Sequence, residues 1–151
     1  MSTRSLIGLM SPSGKVRYIY CHFDGYIEGV GKTLLQHWSN PNKVEALIAL
    51  GDISVLGEEI GEKHDFDWML DASLTPAEIA VDPRSKGVLS YGRDRGGEIE
   101  VNETEPEDFW AGGNYGGIEF AYLLQPDGRW EVYADEELTP GGPRSLAEVA
   151  R

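Results

Sequence analysis

Residues 118–133 read IEFAYLLQPDGRWEVY and predict a β-hairpin. Two runs rich in aromatic and aliphatic residues flank the turn sequence QPDG, in which proline presets φ and glycine accepts a positive φ. Successive side chains of a strand face opposite sides, so Glu119 and Glu131 would point to solvent and their apolar neighbours to a core. The end of the chain is therefore expected to supply two adjacent strands of a sheet.

A second hairpin is predicted at the start of the chain. Residues 5–10 and 16–23 are apolar, and the turn sequence SPSG lies between them. Two helices are expected to follow, over residues 32–38 and 40–51. The second begins with Asn-Pro, which suits a helix cap and the first helical position, and it ends at a glycine.

The middle of the chain carries weaker signals. The sequence TPAE at 75–78 matches a capping box and predicts a short helix. Residues 87–91 and 98–101 have strand-like patterns, whereas 102–117 is acidic, aromatic and glycine-rich and is expected to form a loop. We therefore expect a single α+β domain over residues 1–151, an antiparallel sheet built from hairpins with two or three short helices.

The predicted core follows from the apolar faces of these elements. Cys21, the single cysteine, lies in an apolar run and is expected to be a buried, inert thiol. The other residues expected to be largely buried are Tyr18, Tyr20, Leu47, Ile48, Phe120, Tyr122, Trp130 and Val132.

The net charge of −13 is unevenly distributed. Residues 1–57 hold five Lys and Arg against four Asp and Glu, whereas residues 58–151 hold eight against 22. No strong basic footprint for direct nucleic-acid binding is visible, and a basic protein partner suits this charge better. The alternative is that the charge only keeps the protein soluble. No apolar run is long enough to span a membrane and no signal peptide is evident, so a cytoplasmic location is expected.

Residues 29–33, GVGKT, suggest a phosphate-binding loop that opens a helix. Such a loop needs another glycine at position 26, where this chain has Tyr26. Gly25 lies one residue too far away for successive amides to converge on one phosphate. We therefore expect no nucleotide hydrolysis here, and glycines that serve a tight turn.

Histidines and carboxylates suggest a metal or acid–base site. His22 and Asp24 would share one face of a strand, and His64, Asp65 and Asp67 form a second cluster. Together they would suffice for zinc or manganese if they met, but each is equally compatible with ordinary hydrogen bonding. No metal or other cofactor is therefore expected. The alternative ligand-binding residues are His22, Asp24, Tyr26, Gly29 and Gly31.

An acidic run precedes an aromatic pair that ends at Trp110. Spaced carboxylates can imitate a phosphate backbone, and the aromatic pair could anchor an interface. The alternative is a solvated edge strand with Trp110 packed in the core. The loop at 110–117 could likewise close over a planar ligand, admit a partner's backbone or merely connect two elements. The acidic run consists of Glu98, Glu100, Glu103, Glu105, Glu107 and Asp108.

The sequence YIYCHFDGYIEGVG at 18–31, continuing through LLQHW at 34–38 to residue 52, resembles a set of small uncharacterised proteins from bacteriophages and actinobacterial genomes. The resemblance covers about a third of the chain and transfers no catalytic residues. It implies a phage or mobile-element setting, in which small accessory proteins often bind and block a host factor.

The leading hypothesis is therefore a non-enzymatic phage-type protein that blocks a host factor through its acidic surface. The target would be a basic protein in the host cytoplasm, such as a nucleic-acid-handling defence effector. Two alternatives remain. One is a small-ligand or nucleotide-derivative binder or metal-dependent enzyme that uses His22, Asp24 and the adjoining glycine loop, and the other is a structural phage component.

Overall fold

Residues 2–151 are described by a computed structural model and form one eight-stranded sheet with six short α-helices. The strands are β1 (Ser5–Met10), β2 (Val16–Cys21), β3 (Ile53–Val55), β4 (Leu89–Ser90), β5 (Asn102–Thr104), β6 (Phe120–Leu124), β7 (Trp130–Tyr133) and β8 (Arg144–Ser145). The helices are α1 (Lys32–His37), α2 (Pro41–Ile48), α3 (Pro76–Val81), α4 (Tyr91–Arg95), α5 (Pro106–Trp110) and α6 (Leu146–Val149).

Both predicted hairpins are present, as β1–β2 and β6–β7, and each is antiparallel. The strand order is β4-β3-β2-β1-β6-β7-β8, and β5 pairs with β2 beside this path. Parallel pairing of β1 with β6, in which Ile7 lies opposite Tyr122, joins the two hairpins. β2 and β3 are also parallel. The α+β fold is confirmed, with a sheet that contains two parallel pairs among its antiparallel ones.

The sheet is covered on both faces, because alternate residues of its strands enter two different clusters. In β2, Val16 and Tyr18 pack with Phe109 on one face, whereas Ile19 and Cys21 pack on the other. The larger cluster lies under α1, α2 and α6, and the smaller one lies under α5. Burial on both sides explains why the strands read as nearly continuous apolar runs.

The predicted helix signals act as expected. The Asn40 side chain caps α2 by accepting from the backbone N–H of Asn42 at 2.9 Å, and Gly51 follows the helix with φ of +75°. Thr75 and Glu78 form both hydrogen bonds of a capping box at α3. No helix within residues 2–151 has the length and apolar character needed to span a membrane.

The middle of the chain differs from the prediction. Residues 98–101 form no strand and are all exposed, whereas 102–117, predicted to be a loop, contains β5 and α5. The missed signal was Pro106, which occupies the first turn of α5. Tyr20 and Phe120 are only half-buried, whereas the other six predicted core side chains and Cys21 are buried.

Candidate functional site

A groove of about 470 Å³ lies where β2, the residue before β3 and the start of α4 meet. We call it the tyrosine groove, because three tyrosine side chains form its walls. Its rim is the exposed segment that follows α4. The residues that line it are Tyr20, Asp52, Tyr91, Arg95, Gly97, Glu98, Glu100 and Tyr115.

Hydrogen bonds to Asp52 hold two walls of the tyrosine groove in place. Oδ1 of Asp52 accepts the backbone N–H of Tyr20 at 3.0 Å, and Oδ2 accepts the hydroxyl of Tyr115 at 2.6 Å. The amide of Asn102 donates to the same tyrosine oxygen at 3.0 Å. Each carboxylate oxygen can accept a further hydrogen bond, so Asp52 both positions the rings and remains able to bind a donor.

The rings of Tyr20 and Tyr115 stack on each other, with centroids 5.0 Å apart and planes inclined by 19°. Burial raises the pKa of both phenols, and for Tyr115 the hydrogen bond to Asp52 raises it further. Burial also raises the pKa of Tyr91. All three tyrosines therefore remain neutral at physiological pH and present uncharged aromatic surfaces.

Charge in the tyrosine groove is predominantly negative. Three carboxylates, those of Asp52, Glu98 and Glu100, line it against the single guanidinium of Arg95. Aromatic faces attract cations through their quadrupole, and carboxylates add charge-assisted hydrogen bonds. This combination favours a positively charged ligand over an anion.

Two glycines, Gly92 and Gly96, shape the rim of the groove. Gly96 ends α4 with φ of +86° and directs the chain across the groove. Ile99 then packs over Gly92, where an added Cβ would lie 2.5 Å from its Cγ1 atom. This contact places the backbone of the rim beside α4, with Glu98 and Glu100 on either side of Ile99 at the groove.

The acidic run does not lie on one element. Glu98 and Glu100 are on the groove rim, Glu103 is in β5 opposite Arg17, and the remaining three acids lie at the start of α5. All six are exposed. The run is thus a solvated surface that reaches the tyrosine groove only at its first two members.

Trp110, proposed from the sequence as an interface anchor, lines a different groove of about 200 Å³. It is half-buried and lies edge-on to Phe109 and Tyr133, at centroid distances of 5.1 and 6.4 Å. Phe109 is the fully buried member of the aromatic pair, 5.5 Å from the ring of Tyr18. The pair therefore packs mainly within the protein.

The glycine-rich loop at 110–117 is tied to the sheet. The N–H of Asn114 donates to the hydroxyl of Tyr18 at 3.1 Å, and Tyr115 reaches Asp52. Gly113 has φ of +57° and faces the Tyr18 ring so closely that no Cβ would fit. The loop thus places one of its two aromatic residues in the tyrosine groove.

His22 and Asp24 do not share a strand face, contrary to the prediction. β2 ends at Cys21, and Asp24 adopts φ of +58°. Nδ1 of His22 lies 2.7 Å from the hydroxyl of Tyr20, whereas Asp24 accepts from the hydroxyl of Tyr26 at 3.2 Å. Each side chain therefore pairs with a different tyrosine.

The glycine loop that follows is a π-helical turn, Ile27–Gly31, whose last three amides already donate to backbone carbonyls. The N–H groups of Gly29 and Gly31 point to the carbonyl of Tyr26 at 3.1 and 3.4 Å, and that of Val30 points to the carbonyl of Asp24 at 2.8 Å. Amides bonded to the chain's own carbonyls cannot converge on a phosphate.

The second histidine cluster has its own local partners. Nδ1 of His64 lies 2.8 Å from the carbonyl of Glu62, and Asp65 accepts the N–H of Asp67 at 3.2 Å. In the described part of the chain, residues 2–151, no three His, Cys, Asp or Glu side chains are grouped so that they could hold a metal ion.

The sequence did not indicate Asp52 or Tyr91 as site residues, and Tyr20 was expected in the core. Tyr115 was indicated only as part of a loop that could close over a planar ligand. No local spacing links these four residues, which come from four separate segments of the chain. The only indication in the sequence was the glycine-rich segment around Tyr115, which is typical of a loop that holds an aromatic side chain at a binding site. Comparison of the chain with protein-family models, curated proteins and solved structures gives no match in any of the three.

Proposed function

We propose that this protein is a non-enzymatic binding protein that engages and blocks a basic partner protein through its acidic surface, with the tyrosine groove at the contact. The observation that carries the proposal is the composition of that groove. It combines three neutral tyrosine side chains and three carboxylates with one arginine. Asp52 is partly buried, and a carboxylate in that position beside aromatic rings binds a cationic side chain more strongly than an isolated surface acid does. Glu98 and Glu100 add negative charge at the exposed rim.

The rest of the acidic run would act at longer range. Its exposed carboxylates on β5 and α5 extend the negative surface away from the groove. Such a surface accelerates encounter with a basic partner, while groove contacts set how long the complex lasts. Blocking follows if the partner uses the same basic surface to hold nucleic acid, because the two ligands would then compete.

The resemblance of residues 18–52 to phage proteins supports a host factor, such as a nucleic-acid-handling defence effector, as the partner in the host cytoplasm. Affinity capture from host lysate, followed by mass spectrometry, would name candidates. Each candidate would then be purified and titrated against the wild type and two charge-matched variants. One variant carries Glu98→Gln and Glu100→Gln in the tyrosine groove, and the other carries Glu58→Gln and Glu59→Gln outside it.

The expected result is a basic partner whose affinity falls about tenfold with the groove variant, equivalent to about 1.4 kcal/mol, and changes little with the other. Bound protein should also displace nucleic acid from that partner. Equal losses of affinity for the two variants would show that only net charge matters. Capture of an acidic partner would contradict the proposal.

A further inference from the structure

Arg95 already places a guanidinium against an aromatic wall of the tyrosine groove. Its Cζ lies 4.7 Å from the ring centroid of Tyr91 and 5.3 Å from that of Phe66. Tyr91 and Arg95 lie one helical turn apart in α4, which brings their side chains together on one face. The five ion pairs formed among residues 2–151 do not include Arg95, so no carboxylate holds its charge.

We propose that the tyrosine groove binds an arginine side chain of the partner protein, and that Arg95 occupies part of this site in the free protein. This inference rests on the proposed function and specifies which partner side chain enters the groove. Arg95 acts as an internal competitor. Its positive charge repels a second guanidinium in the groove, and its side chain covers the ring of Tyr91 on which that guanidinium would pack.

Arginine fits the groove better than lysine for two reasons. A guanidinium is planar and can stack on tyrosine rings, and that of Arg95 already lies over the ring of Tyr91. A guanidinium also has five N–H donors in a fixed planar arrangement, so it can donate to several of the groove carboxylates at once. A lysine ammonium is a compact, strongly hydrated charge that gains less from flat aromatic walls.

The carboxylates retain the capacity to bind such a fork. Asp52 accepts one hydrogen bond at each oxygen, from Tyr20 and from Tyr115, and each oxygen has a second lone pair. Glu98 and Glu100 form no ion pair within residues 2–151 and are exposed at the rim. A guanidinium in the groove would therefore bind these acids without breaking an existing ion pair.

Removing Arg95 and neutralising the rim acids Glu98 and Glu100 should have opposite effects on the affinity of the groove for an arginine side chain. Arg95→Ala removes the competing charge and uncovers the ring of Tyr91, so binding should tighten by about threefold. The variant with Glu98→Gln and Glu100→Gln should bind at least about threefold more weakly. Arg144→Ala is the matched control, since it removes one exposed arginine from β8, at the other end of the strand order.

The experiment is an NMR titration of the full chain, with the ring resonances of Tyr20, Tyr91 and Tyr115 as readout. The probes are N-acetyl-arginine amide, N-acetyl-lysine amide and N-acetyl-citrulline amide, of which the last has arginine's shape without its charge. We expect saturable shifts with the arginine probe, affinity about threefold lower with the lysine probe and no saturation with citrulline.

Equal binding of the arginine and lysine probes would overturn the assignment of arginine. Two results would overturn the role of Arg95. One is weaker binding of the arginine probe by the Arg95→Ala variant than by the wild type, and the other is an equal gain in affinity with Arg144→Ala. Absence of saturable arginine binding would overturn the inference as a whole. If the purified partner nevertheless loses affinity for the groove variant but not for the Glu58 and Glu59 variant, the proposed function survives that failure, which separates the two ideas.

Discussion

The hydroxyl of Tyr115 donates a hydrogen bond of 2.6 Å to Oδ2 of Asp52, a residue 63 positions earlier in the chain. This contact joins the glycine-rich loop before β6 to the residue that precedes β3. Asp52 in turn accepts the N–H of Tyr20 in β2. Three separated segments are thus fixed around one carboxylate, and that carboxylate lines the tyrosine groove.

Tyr115→Phe should lower the free energy of unfolding by about 1–2 kcal/mol, because a hydrogen bond to a charged group is lost at a half-buried site. Urea denaturation measures this change. Tyr133→Phe is a suitable control, since Tyr133 is also half-buried and its hydroxyl forms no hydrogen bond within residues 2–151. A midpoint unchanged by Tyr115→Phe would show that the contact with Asp52 contributes nothing to stability.

The sheet could be predicted from the sequence because its signals are local. In the hairpin that ends at Tyr133, alternating side chains and a Pro-Asp-Gly turn lie within one short stretch. Asn40 and Thr75 likewise cap helices that begin immediately after them. The parallel pairing of β1 with β6 was not visible, because nothing local records which distant strand lies beside β1.

The tyrosine groove could not be predicted for the same reason. Tyr20 alternates with core residues and reads as one of them, yet it lies at the last part of β2 and stays half-exposed. Asp52 follows a helix-ending glycine and reads as a turn residue. At the rim, Ile99 contacts Gly92. The alternating pattern at 98–101 predicts a strand there and gives no indication of this contact.

Leu47→Ala should lower the free energy of unfolding by about 2–5 kcal/mol, because the Leu47 side chain is fully buried in the larger core cluster. Chemical denaturation gives the change directly. Leu70→Ala is the matched control, since Leu70 is 79% exposed and its truncation should change stability by less than about 0.5 kcal/mol. Similar midpoints for Leu47→Ala and the wild type would contradict the packing of α2 on the sheet.

ATP with magnesium should give no micromolar binding at the turn that contains Gly29 and Gly31. The amides of Gly29, Val30 and Gly31 donate to the carbonyls of Asp24 and Tyr26, so they are not free to hold a phosphate. Calorimetry on the wild type and on Lys32→Ala makes the comparison. Micromolar binding that disappears with Lys32→Ala would show that the turn opens to form a phosphate site.

The stability of the protein should fall as pH rises above about 9, in part through Cys21. Burial raises the pKa of this thiol from 9.0 to about 12, so the folded state keeps its proton over a range where the unfolded state loses it. The unfolded state then binds fewer protons, and each pH unit within that range costs about 1.4 kcal/mol.

Tyrosines with raised pKa values, such as Tyr122, act in the same direction, so Cys21→Ala isolates the thiol. Urea unfolding at several pH values from about 8 to about 10.5 should give a shallower decline for the variant than for the wild type. Parallel declines would mean that the thiol ionises equally easily in the folded state. The wild-type thiol should also resist alkylation until the protein unfolds, because it is fully buried.

Association with the proposed basic partner should slow strongly as salt rises, because under this proposal the acidic run steers the encounter through a field that salt screens. The Debye length is about 8 Å at physiological ionic strength and about 3 Å at 1 M, so exposed charges lose most of their reach over this range. Stopped-flow mixing at several salt concentrations measures the association rate.

Two triple variants separate a directed field from net charge. Glu103→Gln, Glu105→Gln and Glu107→Gln neutralise the part of the acidic run on β5 and α5, and Glu58→Gln, Glu59→Gln and Glu62→Gln remove the same charge from another exposed segment. The first should lower the association rate and flatten its salt dependence while leaving the dissociation rate nearly unchanged. The second should change neither. Equal losses for the two would show that overall charge alone drives association. No loss in either would exclude Glu103, Glu105 and Glu107 from the binding surface and leave Glu98 and Glu100 in the tyrosine groove as the members of the acidic run that act.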